Sequence, residues 1–183
     1  GYCRSHDEQN QTRFFTCFAL AIFAALGIAF CRNLFTLFLF YEVLTLSTYP
    51  LVTHYGNDEA KAAGRTYLGI LLTTSVMFLL MAILWTWHLT GTLEFAPGGI
   101  LNGKVEGPMV AVLLALYAFG TGKAALMPFH RWLPAAMVAP TPVSALLHAV
   151  AIVKAGVFTV VKVIVFIFGI DLLASTDASV WLM

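Results

Sequence analysis

Charge is scarce in this chain, and neither sign dominates. Only 10% of the 183 residues are charged, with a formal net charge of +1, whereas 60% are hydrophobic. A soluble domain typically carries about 25% charged residues, so the composition excludes that class. A net charge this small also gives no basis for nucleic-acid binding. The composition therefore predicts an all-α, polytopic membrane protein embedded in a lipid bilayer.

Cysteine is also scarce, and its spacing excludes several kinds of site. Cys3, Cys17 and Cys31 form no CxxC pair, and the last two would lie about 21 Å apart on one helix, too far for a disulfide. The sequence has no metal-binding cluster, nucleotide-binding loop or hydrolytic triad. We therefore expect no metal, no cofactor and no catalytic site, so any enzyme activity would belong to a larger complex.

The sequence has neither an initiator methionine nor a cleavable leader pattern. A new apolar run opens at residues 180–183. We therefore expect residues 1–183 to be a single transmembrane domain that is an internal segment of a longer protein.

The chain contains several long apolar runs. About 20 apolar residues suffice to cross roughly 30 Å of hydrocarbon as a helix. Five such spans are predicted, at about 14–31, 33–53, 66–90, 109–127 and 141–168.

The distribution of basic residues predicts an orientation. Residues 1–13, 54–65 and 128–140 fall on one side of the five alternating spans and hold five basic residues. Arg32 and Lys104 lie on the other side, with Lys162 at its edge. The positive-inside rule places the first side in the cytoplasm.

A helix break is expected near the fourth span. Residues 128–140 contain three prolines, beginning at Pro128, and proline removes a helix hydrogen bond. Broken helices inside membranes often mark ion sites in transporters. We therefore predict a discontinuous helix between Lys123 and Pro128.

Four ionisable side chains lie inside the apolar runs: Glu42, Lys123, His148 and Lys154. A charge near the bilayer centre costs roughly 2.5–3.5 kcal/mol on insertion scales, so such residues usually serve function. Helical rise along the predicted spans puts His148 level with Lys123, and Lys154 level with Glu42.

These residue types suit proton transfer. Burial disfavours a charged lysine, whereas a nearby carboxylate favours it, so Glu42 is expected to control proton loading of Lys123. Histidine titrates nearest neutrality, and Ser144 lies one turn before His148 on the same face. Possible accessory residues are Ser144, Lys162 and His130.

Other interpretations remain open at this point. The alternative role for Glu42 and Lys123 is a structural link between two helices, because buried polar pairs stabilise helix packing. The alternative role for His148 is that of a packing histidine. Lys162 lies near a membrane edge, where a lysine can extend its amine to water. A structural membrane subunit without an ion path and a redox-cofactor protein are the competing functions.

Three stretches resemble a known family: FLFYEVLTLSTYPLV at 38–52, GTGKAALMPFHRWLPAAM at 120–137 and APTPVSALLHAVAIVKAG at 139–156. Together they resemble the antiporter-like membrane subunits of respiratory complex I and of multisubunit Mrp-type sodium/proton antiporters. The opening HDEQNQTRFF at 6–15 is most similar to the D-type antiporter subunit.

The resemblance implies a fold, partners and residue roles. It implies the first half of an inverted-repeat transporter that works with other membrane subunits, in a bacterial plasma membrane. It also implies that Glu42 pairs with Lys123 at a discontinuous helix, that His148 links half-channels and that Lys154 belongs to a central hydrophilic axis. Protons are the expected transported ion, and sodium is left open.

Overall fold

The computed structural model describes residues 10–105 and 107–176. Cys3 and the apolar run at 180–183 lie outside the described residues. Helices carry the fold, and one isolated bridge pairs Asn33 with Glu94. The helices are α1 Gln11–Phe30, α2 Leu34–Val52, α3 Asp58–Thr90, α4 Pro108–Gly120, α5 Trp132–Ala135, α6 Thr141–Phe168 and α7 Ile170–Ala174.

The predicted all-α membrane bundle is confirmed, with four long helices rather than five. In the described residues, α1, α2, α3 and α6 are long and apolar enough to cross a membrane. The fourth predicted span is represented by α4, which has 13 residues and a length of only about 20 Å. Large side chains such as Phe23 and Phe30 face outwards, as expected for a surface that meets lipid.

The third helix begins earlier than predicted. We expected a loop over 54–65, but α3 starts at Asp58. The Asn57 side chain accepts a hydrogen bond from the Ala60 backbone N–H at 2.8 Å, which caps the helix start. Asp58 and Glu59 occupy its first turn, where negative charge interacts favourably with the helix dipole.

The break in the fourth helix lies close to its predicted place but begins sooner. α4 ends at Gly120 instead of continuing to residue 127, and a 3-10 turn follows at Gly122–Ala124. The Thr121 hydroxyl donates to the Tyr117 carbonyl at this end. Glycine is a poor helix former, so the helix stops before Pro128, which follows the 3-10 turn.

The segment from 91 to 105 closes one end of the bundle. The Leu34 N–H donates to the Leu93 carbonyl at 2.9 Å, and the Leu101 N–H donates to the Ile167 carbonyl at 2.9 Å. This segment therefore joins the beginning of α2 to the last turn of α6. Arg32, Lys104 and Lys162 lie at this end of the bundle. The alternating directions of the predicted spans place them on this same side.

Close backbone contacts define the middle of the bundle. α3 contains a π-helical turn at Ser75–Leu79 that packs against α4. A Cβ on Gly120 would lie 2.5 Å from the Leu79 nitrogen and 2.7 Å from its Cα. The end of α4 therefore approaches α3 at a distance that only glycine permits.

We predict that Gly120→Ala destabilises the protein by roughly 1–3 kcal/mol, the usual cost of overpacking. Gly69→Ala is the matched control, because nothing lies within 4 Å of a Cβ there and alanine is the better helix former. Thermal unfolding of the purified full-length protein measures both variants. Equal stability of the two would contradict the close packing of α4 on α3.

Candidate functional site

Lys123 lies at the centre of the candidate site. It belongs to the 3-10 turn that follows α4, and its side chain is completely buried. A buried ammonium needs compensating interactions, so its neighbours determine what the site can do.

Neutral oxygens and an aromatic ring hold the lysine amine. Lys123 Nζ donates to the Tyr41 backbone carbonyl at 2.7 Å and to the Thr45 hydroxyl at 2.6 Å. It also lies 3.2 Å from the centroid of the Tyr41 ring, which is a cation–π contact. The Tyr41 hydroxyl accepts a hydrogen bond from the Lys123 backbone N–H at 3.0 Å. A single turn of α2 therefore binds both the side chain and the backbone of Lys123.

Glycines let the broken segment approach its neighbours. A Cβ on Gly156 of α6 would lie 2.5 Å from the Lys123 carbonyl carbon, and one on Gly122 would lie 3.0 Å from the Thr74 Cβ of α3. The turn that carries Lys123 is thus enclosed by α2, α3 and α6.

A chain of buried hydrogen bonds and ring contacts supports this turn. The Trp132 indole N–H donates to the Gly122 carbonyl at 2.9 Å. The Trp132 ring makes an edge contact with Tyr67 at 5.7 Å between centroids, and the Tyr67 and Thr48 hydroxyls lie 2.6 Å apart. The turn therefore has two links to α2, one direct and one through α5 and α3.

Glu42 follows Tyr41 in the same turn of α2. Both of its carboxylate oxygens are buried, and neither has a hydrogen-bond partner among the described residues. Glu42 interacts electrostatically with Lys123, yet the described part of the chain contains no direct ion pair between them. The two ionisable groups therefore interact without a direct ion pair, and Lys123 has hydrogen-bond partners whereas Glu42 has none among the described residues.

His148 lies on α6, the helix that packs against the turn carrying Lys123. It belongs to the π-helical turn Leu146–Val150 of α6, directly before the stretch that packs against Gly122–Ala124. Its Nε2 is buried, with no hydrogen-bond partner among the described residues. Ser144 donates instead to the Ala139 carbonyl at 3.4 Å.

The structure does not bring Lys154 to this centre. Its side chain is exposed on the outer face of α6, beside a groove that α6 forms with Ala25 and Ala29 of α1. The common membrane depth of Glu42 and Lys154 stays a prediction, and Lys154 does not line the site around Lys123.

Two of the accessory candidates lie away from Lys123. His130 is exposed in the 3-10 turn Phe129–Arg131. Lys162 is buried at the far end of α6 and donates to carbonyls at the end of α1. Its amine is therefore bound by the protein rather than extended to water at the membrane edge.

Sequence reasoning missed Tyr41, Thr45 and Trp132 as parts of the site. Aromatic and hydroxyl residues are common in apolar helices, so their type alone gives no signal. Tyr41 and Thr45 are four residues apart and flank Glu42 in sequence, and such residues share a helix face. This four-residue spacing was the sequence signal that could have identified Tyr41 and Thr45 as parts of one site.

The fold and the site together define a polytopic membrane protein whose discontinuous helix carries a fully buried lysine. A family model described as "NADH:quinone oxidoreductase/Mrp antiporter, TM" matches residues 31–183. The chain belongs to this family, which confirms the resemblance inferred from the motifs.

Curated relatives agree with this assignment. The chain is 35% identical over 161 residues to the putative antiporter subunit mnhA2 of Staphylococcus epidermidis, and 34% identical over 163 residues to that of Staphylococcus haemolyticus. The matches cover 84% and 86% of this chain but 20% of each relative. The chain thus spans about a fifth of the length of these relatives. The D-type assignment stays a prediction.

Solved structures show the same fold in respiratory and antiporter complexes. The archaeal membrane-bound sulfane sulfur reductase gives a TM-score of 0.71 at 32% identity, covering 79% of this chain and 30% of that chain. Respiratory complex I from Thermus thermophilus gives 0.67 at 30% identity, with 81% and 33% covered. The Mrp complex from a Dietzia species gives 0.68 at 30% identity, with 80% and 16% covered.

The Trp132 hydrogen bond generates a prediction about the site's stability. Trp132→Phe removes the indole donor from the buried Gly122 carbonyl, which keeps its hydrogen bond from the Ala125 N–H. The loss of one such hydrogen bond typically costs about 0.5–1.5 kcal/mol. Trp87→Phe removes the same indole from an exposed position and is the control. Thermal unfolding of the full-length protein should show a larger loss for Trp132→Phe. Equal losses would contradict a supporting role for this bond.

Proposed function

We propose that this chain is part of a proton-translocating membrane subunit, in which Glu42 and Lys123 load and release the transported proton. The observation that carries the proposal is the separation of two buried ionisable groups. Lys123 is held by neutral oxygens of Tyr41 and Thr45, while the Glu42 carboxylate has no hydrogen-bond partner among the described residues.

The positions of these groups on α2 suggest two states for the lysine. Tyr41 and Thr45 lie one turn apart, and Glu42 is one residue further around the helix, about 100° away. In the described state, Lys123 Nζ binds the Tyr41 carbonyl and the Thr45 hydroxyl. In a second state it binds the Glu42 carboxylate, which favours its charged form. Movement between the two states changes the lysine's affinity for a proton.

His148 is the proposed next carrier. Its buried Nε2 is free of hydrogen bonds to the described residues, and its helix packs directly against the Lys123 turn. Imidazole accepts a proton at one nitrogen and releases it from the other. Ser144, one turn earlier on α6, is a candidate for ordering this step. Lys154, on the outer face of α6, would continue the path toward a neighbouring segment.

The family and its relatives support a multisubunit setting. The relatives are antiporter subunits by name, and the similar folds come from complex I and Mrp assemblies. We infer that the parent protein works with other membrane subunits of a cation/proton antiporter or a quinone oxidoreductase-like complex, in a bacterial plasma membrane. Whether sodium is exchanged for protons depends on that complex.

The first test is proton transport in membrane vesicles that contain the full-length parent complex. Lys123→Ala should reduce transport roughly 10²-fold or more, the usual effect of losing a positioned proton-transfer group. Lys61→Ala is the control, because Lys61 is exposed at the start of α3. Assembly must be matched, as judged by the amount of intact complex. Unchanged transport in Lys123→Ala would leave the lysine a structural link between helices.

A second variant tests the two-state mechanism directly. Thr45→Val removes one neutral acceptor of the ammonium, and a hydrogen bond to a charged group is worth about 1.5–3 kcal/mol. Lys123 should then favour Glu42, and transport should slow by about tenfold. Thr66→Val is the matched control, since the exposed Thr66 hydroxyl binds only a carbonyl of its own helix. Equal transport rates in the two variants would rule out this resting position.

A further inference from the structure

A polar cleft lies where two of the long helices end. α2 begins at Leu34 and α3 ends at Thr90, and a cleft of about 400 Å³ lies beside these two ends. Small-molecule sites in proteins usually have volumes of roughly 300–1,000 Å³. Because both helices are long and apolar enough to cross a membrane, the cleft lies where the chain leaves the hydrocarbon and meets lipid headgroups.

The lining of this cleft suits a positively charged group. The Trp87 ring is 57% exposed and forms part of the lining, together with Thr92 and Glu94. Tryptophan is common at the membrane interface, and the face of its ring attracts cations. Among the described residues, no basic side chain lines the cleft. A carboxylate and a ring face therefore offer the interactions that an ammonium group needs.

A basic residue lies directly outside the cleft. Arg32 Nη2 is 3.5 Å from Glu94 Oε2, and both side chains are largely exposed. Charge-assisted hydrogen bonds are usually about 2.7–2.9 Å long, so this pair leaves both groups able to bind a ligand. A guanidinium group fits the geometry of a phosphate. The cleft and its rim thus present neighbouring sites for a cation and an anion.

Backbone contacts fix the two charged residues beside each other. Asn33 pairs with Glu94 in the isolated bridge, and the Phe95 N–H donates to the Arg32 carbonyl at 3.1 Å. These bonds use backbone atoms, so they persist when the side chain of Arg32 or Glu94 is changed. The arrangement is therefore preformed.

Exposed apolar side chains continue from the cleft along both helices. Phe35 lines the cleft, and Leu39 lies one turn further along α2 on the same face. Leu84 lies one turn from Trp87 on α3. Residues three or four apart share a helix face. Each helix therefore presents apolar surface between the cleft and the hydrocarbon, where acyl chains can lie.

We propose that this cleft binds the headgroup of phosphatidylethanolamine. The primary ammonium of the lipid lies against Trp87 and donates to the Glu94 carboxylate. The phosphate accepts hydrogen bonds from Arg32, and the acyl chains follow the exposed faces of α2 and α3. Neither Glu42 nor Lys123 lines the cleft, so the proposal does not rest on the proposed function.

The first test compares two lipids with the same acyl chains, phosphatidylethanolamine and phosphatidylglycerol, on the delipidated full-length parent complex. Thermal unfolding at increasing lipid concentration gives the apparent affinities. Glu94→Gln should weaken phosphatidylethanolamine binding roughly fivefold, near the upper effect of an exposed ion pair. It should not weaken binding of phosphatidylglycerol, which has no ammonium. Glu59→Gln, exposed at the far end of α3, is the matched control. Unchanged phosphatidylethanolamine affinity in Glu94→Gln would overturn the proposal.

Native mass spectrometry of the complex gives a second readout that does not depend on its stability. Arg32→Gln should retain less of both lipids, because both carry the phosphate. Arg65→Gln, at an exposed position of α3 near the other end of the bundle, should retain them as the wild type does. Equal lipid retention in Arg32→Gln and Arg65→Gln would contradict the assigned phosphate contact.

The contribution of the ring is tested with Trp87→Leu, which removes the aromatic face. Retention of phosphatidylethanolamine should fall about threefold, as expected for a cation–π contact at an exposed site, whereas Trp87→Phe keeps a ring there. Equal retention in Trp87→Leu and the wild type would remove the ring from the proposed site.

A soluble competitor distinguishes a lipid from a free headgroup. Phosphoethanolamine carries the same charges without acyl chains, so it should not displace the lipid at equal concentration. If it protects the complex as well as the lipid does, the ligand is a soluble amine and the lipid proposal is wrong. Lys123→Ala should keep the wild-type preference for phosphatidylethanolamine, whatever its effect on transport.

Discussion

The burial of the Lys123 ammonium among neutral oxygens is the constraint on which the rest of this structure depends. A charged group inside a bilayer needs hydrogen-bond partners from the protein. In an unbroken α4, the carbonyls of the helix would be engaged in its own intrahelical hydrogen bonds. The break after Gly120 instead brings Lys123 against a turn of α2, where Tyr41 and Thr45 supply the acceptors. The glycines and Trp132 then keep that irregular segment packed against its neighbours.

In the proposed mechanism, the separation of Glu42 from Lys123 allows the lysine to move between two positions. A buried carboxylate without a hydrogen bond is costly, and so is a lysine that has lost its acceptors. Each group is therefore stabilised by approaching the other, while Tyr41 and Thr45 oppose that approach by binding the lysine where it lies. Two arrangements of comparable energy are what a proton switch requires.

The apolar runs predicted the positions of the four long helices, because length and hydropathy determine whether a helix can cross a bilayer. Hydropathy missed the first eight residues of α3, which are polar and are specified by the Asn57 cap. It also extended α4 past Gly120, because residues beyond the break remain apolar. The lysine and glutamate of the site were predictable as charges in apolar runs. Their neutral partners were harder to recognise, because the four-residue spacing of Tyr41 and Thr45 does not show which distant residue they contact.

The depth of a lysine in the membrane, calculated from its position along a helix, does not predict its surroundings. Lys123, Lys154 and Lys162 illustrate this point. Lys123 is buried among oxygens of α2, Lys154 is exposed on the outside of α6, and Lys162 binds the end of α1. Lys154 and Lys162 are two turns apart on one helix, so their different surroundings arise from the helices that pack beside them. A charge on the outer face of a membrane helix calls for a partner from another segment. Lys123 and Lys162 have hydrogen-bond partners within the described chain, whereas the exposed Lys154 is open to a neighbouring segment, as the proposed function requires.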